Sequence, residues 1–91
     1  LKASESMEHI FVKRIPEYLV ENTLYVCLET NTIIHKCACG CGEETITPID
    51  IAKGWTFFYD GKNITLSPSI GNFNYKCKSH YFIKNSKVEW C

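Results

Sequence analysis

Three cysteines alternate in the run His35-Lys36-Cys37-Ala38-Cys39-Gly40-Cys41-Gly42, and a fourth opens the run Cys77-Lys78-Ser79-His80. Sulfur and imidazole ligands carried on two separated tight turns are the usual way for a small domain to close a tetrahedral zinc site, with glycines letting backbone amides face the sulfurs. Alternating cysteines lie too close for convenient disulfides with one another, so the spacing favours metal over disulfide. A C-x-x-H pair alone is a weak signal, but beside a triple-cysteine run in a chain of 91 residues it is a strong one. Five candidates compete for four positions. The pair Cys39 and Cys41 around Gly40 mirrors the pair Cys77 and His80, and Gly42 supplies a flexible exit, so these four are the expected ligands. Cys37 competes for one position; its other reading is a strand residue continuing the alternation Ile33, His35, Cys37.

Zinc is the expected ion. A C-x-C pair followed by a C-x-x-H pair also resembles Rieske proteins, whose 2Fe-2S cluster is held by two Cys and two His. Here a Cys stands where the second His would be, so an iron-sulfur cluster with an electron-transfer role is the less favoured assignment. Ser69 and Ser79 invite a nucleophile reading with His80 as base. A metal-bound His80 cannot act as a general base, however, and the sequence suggests no paired acid, which argues against an enzyme. A metalloenzyme with an open coordination position, using Glu43 or Glu44, is disfavoured by the number of soft ligands. Cys27 reads as a buried small hydrophobe and Cys91 as a terminal thiol, with a disulfide between them not favoured. His9 and His35 read as surface or core-edge histidines.

The elements around these residues are short runs rich in Val, Ile, Thr, Tyr and Phe, broken by Asn, Asp and Gly, with no sustained helical period. They predict strands over 9–14, 24–29, 32–36, 43–47, 55–59, 63–66, 80–83 and 88–91, with short helical turns at 15–22 and 48–53 and a loop at 67–72. Asp60-Gly61 supplies the clearest hairpin turn. The fold class is therefore all-β: small antiparallel sheets and hairpins in a zinc-ribbon or Rieske-like architecture stapled by metal. Residues 7–91 form one metal-binding β domain, and residues 1–6 read as a tag remnant or disordered lead before Met7. With 45% hydrophobic and 22% charged residues the composition is globular. Ten Lys and Arg balance ten Asp and Glu, so net charge draws the chain to neither nucleic acid nor membrane. No apolar run reaches the roughly 18 to 20 residues of a membrane helix, and the expected location is the bacterial cytoplasm.

From about Ile15 onward the order of motifs resembles the DUF6527 family of small bacterial proteins. The most specific stretches are Cys37 to Gly42, Pro68 to Asn72 and Cys77 to Ile83. The resemblance implies a cysteine-rich metal-binding domain. It also implies an association with ubiquitin-like conjugation components in antiphage defence, in which a zinc domain without catalytic residues would serve as an adaptor for a protein partner.

Overall fold

The structure, a computed structural model, describes residues 6–50, 52, 54–72 and 75–91. Eight strands form two four-stranded sheets: β1 (Glu8–Phe11), β2 (Thr23–Cys27), β3 (Thr32–Lys36) and β4 (Glu44–Pro48) in one, and β5 (Thr56–Tyr59), β6 (Ile64–Gly71), β7 (His80–Lys84) and β8 (Lys87–Trp90) in the other, each in sequence order. The period-2 pattern expected of half-buried strands is plain in β4, where Thr45 and Thr47 are buried between exposed neighbours, and in β7, where Tyr81 and Ile83 face inward. Leu24, Val26 and Ile33 of the first sheet pack on Ile64, Leu66, Ile70, Tyr81, Ile83 and Val88 of the second, so the core lies between the sheets. Burying each such side chain contributes about 1.5–3 kcal/mol before the chain entropy that opposes folding.

β1 runs parallel to β2, in contrast to the antiparallel pairing expected throughout. A parallel pair needs a long crossover, and residues 12–22 supply it. That segment is not the expected helical turn; no helix forms among the described residues. Val12, Ile15 and Leu19 instead cover Tyr25 and Ile34 on the outer face of the first sheet, and the Val20 N–H donates to the Tyr25 hydroxyl at 2.9 Å. Two isolated bridges, Ser6 with Lys87 and Ile49 with Trp55, tie the sheets at their edges. Of the helical turn expected over 48–53, Ile51 and Lys53 lie outside the described residues, and Pro48 closes β4. No helix among the described residues is long and apolar enough to cross a membrane.

The expected loop at 67–72 is also largely strand, since β6 runs on to Gly71. Leu66 pairs with Ile83 and Ile70 with Tyr81, so four steps along β6 are matched by two along β7, and the register shift falls on Ser67, Pro68 and Ser69. Such a bulge accepts a proline because Pro68 itself pairs with neither neighbouring strand, and it re-aims the side chains within it.

Candidate metal centre and serine–histidine pair

Cys37, Cys39, Cys41 and Cys77 bring their sulfurs within 4.8 Å of one another. The first three come from the β3–β4 connection. Its mouth is held by the Cys37 N–H donating to Glu43 O at 2.8 Å, and its turn by the Gly40 N–H donating to Cys37 O at 3.0 Å. Gly40 and Gly42 both have φ of +88°, a conformation that folds the run back on itself and that a side chain would oppose. Cys77 comes from the turn before β7, closed by the Lys78 N–H donating to Tyr75 O at 3.1 Å. The Tyr75 hydroxyl donates to Glu44 O and joins the two turns.

The sulfur separations are 3.4 Å for Cys37–Cys39, 3.8 Å for Cys37–Cys77 and 3.7 Å for Cys41–Cys77. A tetrahedron with Zn–S bonds of about 2.3 Å has edges of about 3.8 Å, so these side chains fit a tetrahedral ion with little movement. Burial raises the Cys37 thiol, and Cys41 is pushed up to about 12 by desolvation and neighbouring sulfurs against a lowering backbone N–H from Glu43. Burial would also raise Cys39, but hydrogen bonds from Ser79, Cys37 and Cys41 bring it down to about 6, while the Ser79 hydroxyl lowers Cys77. Opposite shifts within one cluster mean that four adjacent thiols resist ionising together unless a cation shares the site.

His80, expected among the ligands, lies outside this group. It opens β7, and its Nε2 lies 2.7 Å from the Ser69 hydroxyl oxygen. Cys37, the expected competitor, faces inward as its alternation with Ile33 and His35 implied, yet its sulfur is part of the cluster. The Rieske-like reading is corrected by the same geometry, since the sulfurs supply all four corners and no pair of imidazoles joins them. Ser69 reaches His80 because of the bulge: His80 pairs with Gly71, two residues further along β6, and Ser69 shares the strand face of Gly71. Trp55 fixes the backbone there by donating its indole N–H to Ser69 O at 3.3 Å.

A buried polar network lies beneath. His35 is fully buried, and its Nε2 is 2.7 Å from the Tyr81 hydroxyl, which also accepts the Ala38 N–H at 3.3 Å. Burial lowers His35 to about 4, so the imidazole is neutral, and burial raises the Tyr81 phenol well above its usual range. Asn72 donates its side-chain amide to the Cys37 sulfur at 3.3 Å and accepts from the Thr45 hydroxyl at 3.2 Å. Neither Tyr81 nor Asn72 was expected as a site residue, since Tyr81 sits in ordinary strand context and Asn72 at the end of the expected 67–72 loop. All six cysteines are unbridged, including Cys27 and Cys91. Glu43 and Glu44 adjoin the cluster in sequence but are not part of it.

A family model described as "Bacterial ubiquitination-like system serine protease (BubE)" matches residues 11–91. No curated protein and no solved structure matches. This finding corrects two expectations. The matching family is not DUF6527, and it is described as a family of enzymes, whereas the sequence was read as that of a non-catalytic protein. The argument against serine catalysis placed His80 on the metal, and the geometry puts it on Ser69 instead.

Proposed function

The chain belongs to the family of serine proteases of the bacterial ubiquitination-like system (BubE), and from that premise we propose that Ser69 is its nucleophile and His80 its general base. The observation that carries this reading is the 2.7 Å contact between Ser69 Oγ and His80 Nε2, the separation at which an imidazole can take a hydroxyl proton. Ser69 Oγ adds to the carbonyl carbon of a peptide bond while His80 Nε2 takes its proton. His80 then delivers that proton to the departing amine nitrogen as the C–N bond breaks, leaving an ester on Ser69. Water, deprotonated by His80, attacks the ester carbonyl; the C–O bond to Ser69 breaks and its oxygen recovers the proton. The substrate class is a peptide bond in a protein of the ubiquitination-like system, and proteins of that system are the expected partners.

The ion we assign to Cys37, Cys39, Cys41 and Cys77 is zinc, supported by the all-sulfur donor set and the sulfur separations. With four protein ligands the site is closed, so its contribution is folding energy, not chemistry on substrate. Six unbridged thiols suit a reducing compartment, the cytoplasm.

The test treats the zinc-loaded protein with an alkyl fluorophosphonate and maps the adduct by mass spectrometry. The expected result is a single adduct on Ser69, abolished by Ser69→Ala and strongly slowed by His80→Ala. Labelling that persists in Ser69→Ala, or that maps elsewhere, overturns the assignment. Elemental analysis of the same sample is expected to show zinc; iron with visible absorption would replace it.

A further inference from the structure

The last rung of the β6–β7 ladder, Gly71 with His80, is flanked by two buried polar residues that both donate to the sulfur cluster. On one side Asn72 gives its side-chain amide to Cys37 Sγ at 3.3 Å. On the other, Ser79 gives its hydroxyl to Cys77 Sγ at 3.2 Å. The two residues are joined to each other, since the Asn72 N–H donates to Ser79 O at 2.7 Å. Asn72 follows Ser69 by three positions, one residue past the end of β6, and Ser79 immediately precedes His80. The backbone segments carrying the reacting pair therefore end on a clamp whose other side is sulfur.

We propose that Asn72 and Ser79 are positioning residues that tie the alignment of Ser69 with His80 to occupancy of the four-cysteine site, so that metal loading sets the reactivity of Ser69. This rests on the nucleophile and zinc assignments above. Sulfurs bound to a cation are thiolates, and hydrogen bonds to thiolate are charge-assisted, whereas a neutral thiol or a disulfide is a weak acceptor. Loss of the metal loosens both donors at once and lets the Gly71–His80 rung shift. Displacing a reacting group by about 1 Å costs on the order of 100-fold in rate. The closed metal site thereby makes the reactivity of Ser69 sensitive to zinc without the ion touching substrate.

The experiment compares the zinc-loaded full chain with Asn72→Leu, Ser79→Ala and Ser79→Thr. Three quantities are read: zinc per chain, the rate of Ser69 labelling by an alkyl fluorophosphonate, and the imidazole nitrogen shifts of His80 by NMR. Asn72→Leu and Ser79→Ala are expected to hold wild-type zinc yet label on the order of 10- to 100-fold more slowly, with the His80 Nε2 shift displaced from its hydrogen-bonded value. Ser79→Thr, which keeps the hydroxyl, is expected to restore both. Wild-type labelling and an unchanged His80 shift in Asn72→Leu and Ser79→Ala overturn the proposal. If Asn72→Leu fails to fold, Ser79→Ala with its threonine rescue decides. An unlabelled wild-type protein would remove the nucleophile assignment instead, and the His80 shift, which needs no reaction, would then test the clamp by itself.

Discussion

Replacing Tyr81 by Phe keeps the ring that packs edge-on against Trp90 and deletes one oxygen from the fully buried network. That oxygen serves two partners, His35 Nε2 at 2.7 Å and the Ala38 N–H at 3.3 Å. His35 Nδ1 has no hydrogen-bond partner among the described residues, so the substitution leaves the buried imidazole with none there at either nitrogen. An orphaned buried polar group costs about 1–3 kcal/mol; Ala38 is only half-buried and water can reach its N–H, so its loss adds about 1 kcal/mol. The sum, about 2–4 kcal/mol, is a large share of the roughly 5–14 kcal/mol expected for a 91-residue domain. With a urea m-value of about 1 kcal/mol/M, the midpoint of a urea titration falls by roughly 2–4 M at unchanged m. The titration is followed by circular dichroism at fixed free zinc, because ligand excess itself raises stability. His35→Leu in the Tyr81→Phe background is expected to recover part of the loss, since removing both members of a buried pair is cheaper than removing one. A Tyr81→Phe protein that loses less than about 0.5 kcal/mol would refute the claim that this hydroxyl satisfies His35 and the metal loop.

Cys37→Ser is expected to abolish stoichiometric zinc in elemental analysis while His80→Ala retains it; the reverse pattern would restore His80 as the fourth ligand. Thr47→Val is expected to leave the melting temperature unchanged or to raise it, by up to about 1 kcal/mol of stability. The Thr47 hydroxyl is buried without a hydrogen-bond partner among the described residues, so a clear loss on substitution would show a bond to it. The Asp60 carboxylate accepts the N–H groups of Asn63 at 2.7 Å and Lys62 at 2.8 Å, and these bonds, Asn63 first, hold it below the usual carboxylate range. Its stabilisation of the β5–β6 hairpin is therefore present above about pH 4 and is lost as pH falls through the lowered folded value. Thermal melts should show wild type more stable than Asp60→Ala at neutral pH and the two converging in acid; a gap that persists there would contradict the hydrogen-bond account.

The all-β class was legible because short runs rich in Val, Ile, Thr, Tyr and Phe recur between Asn, Asp and Gly breaks with no helical period, and the β5–β6 hairpin because Asp60-Gly61 favours a tight turn, with Gly61 at φ +97°. The parallel course of β1 was not legible, since nothing local in Glu8–Phe11 says which neighbour it will meet or from which end. Residues 67–72 read as a loop because Ser, Pro and Gly are turn formers, and the pairings of Ser67 with Thr56, Ile70 with Tyr81 and Gly71 with His80 keep most of them in the sheet. The two cysteine turns could be recognised from spacing. The side to which His80 turns could not: three residues after Cys77 it already belongs to β7, and its direction follows the strand alternation with Tyr81 rather than the turn. The alternation of Cys37, Cys39 and Cys41 held the missing clue, because with Cys77 it already supplies four sulfurs.

The bridge from Ser6 to Lys87, and the Met7 N–H on Ser86 O at 2.6 Å, join the start of the described chain to the β7–β8 turn. Every antiparallel pair in the molecule links strands adjacent in sequence and closes a modest loop, whereas this seam encloses nearly the whole chain. Loop entropy and topology place its closure last. During synthesis Ser6 and Met7 emerge some 80 residues before Ser86 and Lys87, the partners that seal them, an interval of roughly 4–16 s at 5–20 residues per second. β1 can pair with β2 well within that interval, so what waits is the stretch at Ser6 and Met7, the latter an apolar side chain buried in the finished core. Among the described residues this early segment is the last to be sealed, and the vulnerability of this fold lies in time as much as in energy.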